Sequence, residues 1–195
     1  STRIGRLGER VVAVGISGKS TSLVKMTDAI VFAHKPQLVI LGSQAIGLAE
    51  GVGTNTVLLA SGLVANSSDP LELSPWTDSP LCRGMFWATD QLALGPPEVL
   101  AAIPRDLYAA AMWCHDHNVA LEIAAVIPRH INDPPPADVR QVLNQPSLAG
   151  RMGAFLGAAW RRPSSVPDLW RQKEIVWVAR EKLGDAIELL IVPTK

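Results

Sequence analysis

The chain has 195 residues, with 18 Lys or Arg against 18 Asp or Glu and a formal net charge of zero. That balance argues against a nucleic-acid binder, which shows a basic stripe, and no run is long enough to span a membrane. Charged residues make up only 18% of the chain and apolar ones 48%, with six Trp; a chain so poor in charge cannot cover its surface with polar groups, which predicts a homo-oligomer.

For this length the expectation is one domain over residues 1–195. Cys82 and Cys114 make neither a disulfide framework nor a CxxC site. No signal peptide opens the chain, so the expectation is a soluble cytoplasmic protein.

Residues 1–9 read as a polar lead-in. Residues 11–14, VVAV, form a near-continuous apolar run, the pattern of a buried strand. They empty into Gly15-Ile16-Ser17-Gly18-Lys19-Ser20, a small-residue loop that leads into a helix. Gly15 and Gly18 let a ligand approach, and the helix N-terminus favours an anion. The helix carries Leu23, Met26, Ile30 and Val31 on one side and ends near Lys35-Pro36. Residues 38–41, LVIL, read as a second strand, followed by Gly42-Ser43. Residues 45–50 read as a small helix ending at Gly51, and 56–60 as a third strand.

Residues 66–80 hold four Ser and three Pro and read as one long irregular segment, which Trp76 could anchor. Residues 85–87 and 91–94 read as strand, ending at the Gly95-Pro96-Pro97 turn. Residues 98–117 have a helical pattern that Pro104 kinks or splits, with Asn118 as a C-cap. Residues 120–127, ALEIAAVI, are the clearest later strand. Pro134 to Pro136 break the chain, and 137–143 restart a helix. Residues 167–183 are amphipathic and helical, with Gly184 as the stop, and 187–192 close as a strand. Alternating strands and helices predict an α/β fold, a Rossmann-like (flavodoxin-like) doubly wound parallel sheet.

The first loop fits a nucleoside-triphosphate loop only loosely, and no carboxylate follows the second strand to hold Mg²⁺. A short Ser/Gly loop suits a single phosphate better, as in a mononucleotide or a flavin. No His pairs with Ser17 by spacing to make a serine hydrolase. His115 and His117, two apart on a helix, point to different faces, so no metal site is expected.

Several stretches together resemble the flavin-dependent cysteine decarboxylases, the family of phosphopantothenoylcysteine decarboxylase and the peptidyl-cysteine decarboxylases. Residues 14–18 are similar to that family's flavin-phosphate loop and 38–45 to its second strand and turn. Phe86-Trp87-Ala88-Thr89-Asp90, with 92–96, resembles its aromatic-Ala-Asp segment. Residues 106–128 resemble its helix–strand unit, and 147–152 its Gly-Arg-Met region. The resemblance implies bound FMN, held by Gly15, Ser17, Gly18, Ser20, Ser43 and Pro96. It implies a homo-oligomer built on trimers. The implied activity is oxidative decarboxylation of a peptide C-terminal cysteine or a small cysteine conjugate.

Where the family has a catalytic His, this chain has Pro80-Leu81-Cys82-Arg83-Gly84. Its Asn-containing turns read Pro96-Pro97-Glu98-Val99-Leu100 and Pro128-Arg129-His130-Ile131-Asn132 here. Cys82, His130 and Asn132 are the nearby residues left for catalysis. The departures leave two alternatives: a non-catalytic relative acting as an assembly partner or scaffold, and a flavin prenyltransferase.

Overall fold

The computed structural model describes residues 2–7, 10–15, 22–65, 69–76, 78–90, 96, 98–134, 137–143, 145, 148–162 and 165–192. The apolar run that opens the chain is a strand, but it does not enter the main sheet. β1 (Thr2–Leu7) and β2 (Arg10–Gly15) pair as an antiparallel hairpin, with Thr2 opposite Gly15 and Leu7 opposite Arg10. The polar lead-in is thus strand β1. Helix α1 (Leu23–His34) follows, and Lys35 closes it in the left-handed region at φ 44° just before Pro36.

The main sheet is built from β3 (Val39–Gly47), β4 (Val57–Ala65), β5 (Leu71–Glu72), β6 (Arg83–Ala88), β7 (Val99–Ile103) and β8 (Leu121–His130). Its order is β5-β4-β6-β7-β3-β8, and β4 also pairs with β8. That last pairing closes β4, β6, β7, β3 and β8 into a barrel, with β5 attached outside it. Pairs β4–β6, β6–β7 and β3–β8 are parallel, whereas β3–β7 and β4–β8 are antiparallel. The chain therefore does not form the flavodoxin-like doubly wound parallel sheet. That topology needs a helical crossover between parallel neighbours. Here α2 (Arg105–Asp116) joins β7 to β8, and neither the 66–82 nor the 89–98 connection contains a helix among the described residues.

The barrel wall is apolar on both faces. Residues 121–127 of β8 are all buried, and all but Glu122 are apolar. One face packs on α2 through Leu107, Ala110, Ala111 and Cys114, spaced as a helix stripe. The other face, through Leu59 and Ala124, meets Leu183, Ile187 and Leu190 of the long helix α5 (Ser165–Ile191). Helices α3 (Ala137–Leu143) and α4 (Leu148–Arg161) lie between β8 and α5 in sequence.

Three local expectations give way. Residues 45–47 are the end of β3 rather than a helix, because pairing with β8 carries the strand through Gly42 and Ser43 to Gly47. Residues 98–117 are not one kinked helix. Val99–Ile103 is a strand held between β6 and β3, and Pro104 is the N-cap of α2. Gly184 does not stop α5, which runs on through 187–191, since Ile187 and Leu190 keep the helix seated on the barrel. Among the described residues, no helix is long and apolar enough to cross a membrane.

Candidate functional site

The hairpin and the barrel leave a cavity of about 1130 Å³ between them. It runs along β2 from Val11 to Gly15 and along β3 from Val39 to Ser43, with α1, the start of α2 and the end of α5 as further walls. Among the described residues, β2 pairs only with β1, and β3 over 39–44 pairs only with β8. One strand edge on each side of the cavity is therefore unpaired. The walls are mostly aliphatic, from Val12, Leu23, Ile30, Ile40 and their neighbours.

Its polar groups are few. They include Ser43 on β3 and Asp106, exposed in the first turn of α2, with Gly15 of β2 on the same lining. A carboxylate there is favoured by the positive end of the helix. Asp106 and His34 are the titratable side chains among the described lining residues. Ser43 Oγ donates to the carbonyl of Gln44 at 3.0 Å, which leaves its lone pairs to accept. Trp76 stands at the wall on the irregular segment, 43% exposed, and what ties it down is its backbone. Its backbone N–H donates to Glu122 Oε1 at 2.7 Å. Glu122 is buried on β8 and takes a two-pronged pair from Arg83 at the start of β6, at 2.8 and 3.0 Å.

The sequence-predicted residues divide. Gly15 and Ser43 both line the cavity. Ser17, Gly18 and Ser20 lie outside the described residues. Pro96 is exposed and does not line the cavity. His130 and Asn132 are neighbours: the Asn132 backbone N–H donates to His130 Nδ1 at 3.2 Å. That leaves the ring proton on Nε2, which donates to the Ala49 carbonyl at 3.0 Å. Cys82 is not with them. Its carbonyl accepts from Leu59, which pairs with Ala124, so six residues of β8 (roughly 20 Å of strand) separate its level from His130. Asp106 escaped the sequence reading. Its signal was Pro104, a helix-opening residue with an acid two places on.

No family model matches the chain, and no curated protein matches it. Solved structures do. The nucleosidase for 5′-methylthioadenosine and S-adenosylhomocysteine from S. pneumoniae, solved with the transition-state inhibitor MT-ImmA, superposes with a TM-score of 0.55 at 17% identity, over 67% of this chain and 73% of that one. The Colwellia psychrerythraea nucleosidase, solved with adenine, gives 0.54 at 10% identity, over 66% and 69%. The Helicobacter pylori nucleosidase, solved with butyl-thio-DADMe-Immucillin-A, gives 0.50 at 18%, over 67% and 72%. The chain shares the fold of these nucleosidases.

That fold overturns the flavin reading. Most stretches that carried the resemblance are short strand-and-turn pieces; in the structure the 38–45 piece has no turn after its strand, since β3 runs from Val39 to Gly47, and the departing turn at 96–100 leads into β7. FMN as cofactor, cysteine decarboxylation, flavin prenyl transfer and a cysteine-containing peptide as substrate are all withdrawn. A non-catalytic relative of the decarboxylases is withdrawn with them, and the implied trimer loses its basis.

Proposed function

We propose that the chain binds a purine nucleoside of the 5′-methylthioadenosine type in the cavity between β2 and β3 and hydrolyses its N-glycosidic bond. One observation carries the reading. A mostly apolar cavity has Asp106, Gly15 and Ser43 among its lining residues, in a fold shared with nucleosidases solved with adenine and with inhibitors. Aliphatic walls suit a base and a thioether, and a few convergent polar groups fix the sugar. Breaking a glycosidic bond builds positive charge on the sugar, which a carboxylate aimed at it stabilises. Asp106 takes that role in this reading, with Ser43 Oγ accepting from a sugar hydroxyl. The reading takes the 195 residues as one functional domain in the cytoplasm, where Cys82 and Cys114 remain free thiols.

The test is release of adenine from 5′-methylthioadenosine and S-adenosylhomocysteine, followed by chromatography. Turnover should fall about 100-fold in Asp106→Asn with the fold intact. The absence of both adenine release and nucleoside binding by calorimetry would sink the reading. A second reading, nucleoside binding without cleavage, draws on a specific observation: Asp106 is the single carboxylate among the described lining residues, and glycoside hydrolysis commonly uses two. Binding without adenine release would select it.

A further inference from the structure

The free edge of β3 has no partner in the structure and a strand-shaped space beside it. The Val39 N–H donates to the Ala120 carbonyl, so Val39 faces β8, and by alternation Leu41 does too. The backbone N–H groups of Ile40 and Gly42 therefore point to the other edge. β7 takes that edge only at Ile46 and Gly47, because Pro104 then turns the chain into α2. Over 39–43 the strand lines the cavity instead. Above and below this edge the surroundings are aliphatic. The Cβ position of Gly42 faces Leu183 and Ile187 of α5 on one side of the sheet. On the other, Leu41 packs in the cluster that Leu23 and Val24 of α1 join. Backbone donors at the edge and apolar walls on both faces are what a strand buried on both faces requires.

β2 is such a strand. Residues 11–14, VVAV, are apolar on both faces, yet Val11 and Val14 are more than half exposed. One edge of β2 is held by β1, and among the described residues the other is unpaired and lines the same cavity. α1 joins β2 to β3 in the chain, which is the usual crossover between parallel neighbours. We infer that the β1–β2 hairpin is a gate: β2 closes onto the free edge of β3, parallel to it, and reopens to admit a ligand. Closure gives the Ile40 and Gly42 N–H groups carbonyl partners and takes Val11 and Val14 out of water. That the admitted ligand is a nucleoside rests on the reading above; the closure does not.

Amide exchange followed by NMR on the free chain tests this. Ile40 and Gly42 should exchange at least about 10-fold more slowly than unstructured amides, and cross-strand NOEs should join β2 to β3. In the open form Val14 is exposed opposite Arg3, so Val14→Asp leaves the hairpin intact, but closure would bury its carboxylate. The variant should exchange about 10-fold faster at Ile40 and Gly42, with Leu41, which faces β8, unchanged. Exchange of Ile40 and Gly42 at the unstructured rate in wild type, or protection that survives Val14→Asp, overturns the proposal. So does protection that grows with chain concentration, which would give the space to the strand of a second copy. None of these readouts uses a nucleoside, so a chain that closes but neither binds 5′-methylthioadenosine nor releases adenine keeps the gate and loses the nucleosidase reading.

Discussion

Cys114 and Cys82 show how the same side chain behaves in two settings. Cys114 is fully buried on α2, and loss of solvent around the thiolate pushes its pKa from 9.0 up to about 11. Cys82 is exposed at the start of β6. Because the thiolate is the reactive form, iodoacetamide at about pH 8 should label Cys82 in the folded chain and both thiols after unfolding. Mass spectrometry of the native and unfolded chain reads this out; fast labelling of Cys114 in the native chain would refute it. The raised pKa also fixes a sign. The folded state holds the Cys114 proton more tightly than the unfolded state does. Its stabilising contribution is therefore whole below about pH 9 and lost as pH climbs through about 11. Denaturant titrations across that window should show wild type losing more stability than Cys114→Ala.

At the scale of elements, the pair between Arg83 of β6 and Glu122 of β8 ties the irregular segment to the barrel, since the Trp76 N–H shares Glu122 Oε1. Glu122 is 1% exposed, so Arg83→Ala would leave a buried carboxylate without its cation. The expected loss is about 3–5 kcal/mol in denaturant unfolding. A loss below about 1 kcal/mol would mean the pair behaves as a surface one. Nothing in the sequence announced this clamp, because its partners are 39 residues apart. What was legible was local. α1 followed from its apolar spacing and the Lys35-Pro36 stop, and β8 from an apolar run broken only by Glu122. β7 was not legible: five apolar residues before a Pro fit a strand or a helix equally, and pairing with β6 and β3 decides. Misreading β7 as helix also hid Asp106, whose place at a helix start became visible only once Pro104 was the N-cap.

For the whole molecule, closure of the barrel depends on the β4–β8 pairing, a contact between strands more than 60 residues apart that no local pattern encodes. The flavin resemblance failed at this scale. Strand–small-residue-turn pieces recur across α/β proteins, and their order in the chain does not say whether a sheet stays open or closes. Closure also divides the molecule into parts of unequal stability. β8 is buried over seven consecutive residues, with partners on both edges in β3 and β4. The hairpin instead has Val11 at 67% and Val14 at 51% exposure and meets the barrel across a cavity. Amide exchange should follow that contrast, with β8 exchanging only on global unfolding and β2 by local opening. Exchange of β1 and β2 should be at least about 100-fold faster than that of β8 in the free chain. Saturating 5′-methylthioadenosine should slow exchange near Gly15 and Ser43 and leave β8 unchanged, because the cavity is lined by β2 and β3 and by no residue of β8. Equal protection of β2 and β8 in the free chain would mean that the hairpin is already locked against β3, and the cavity would then be too small to serve as the site.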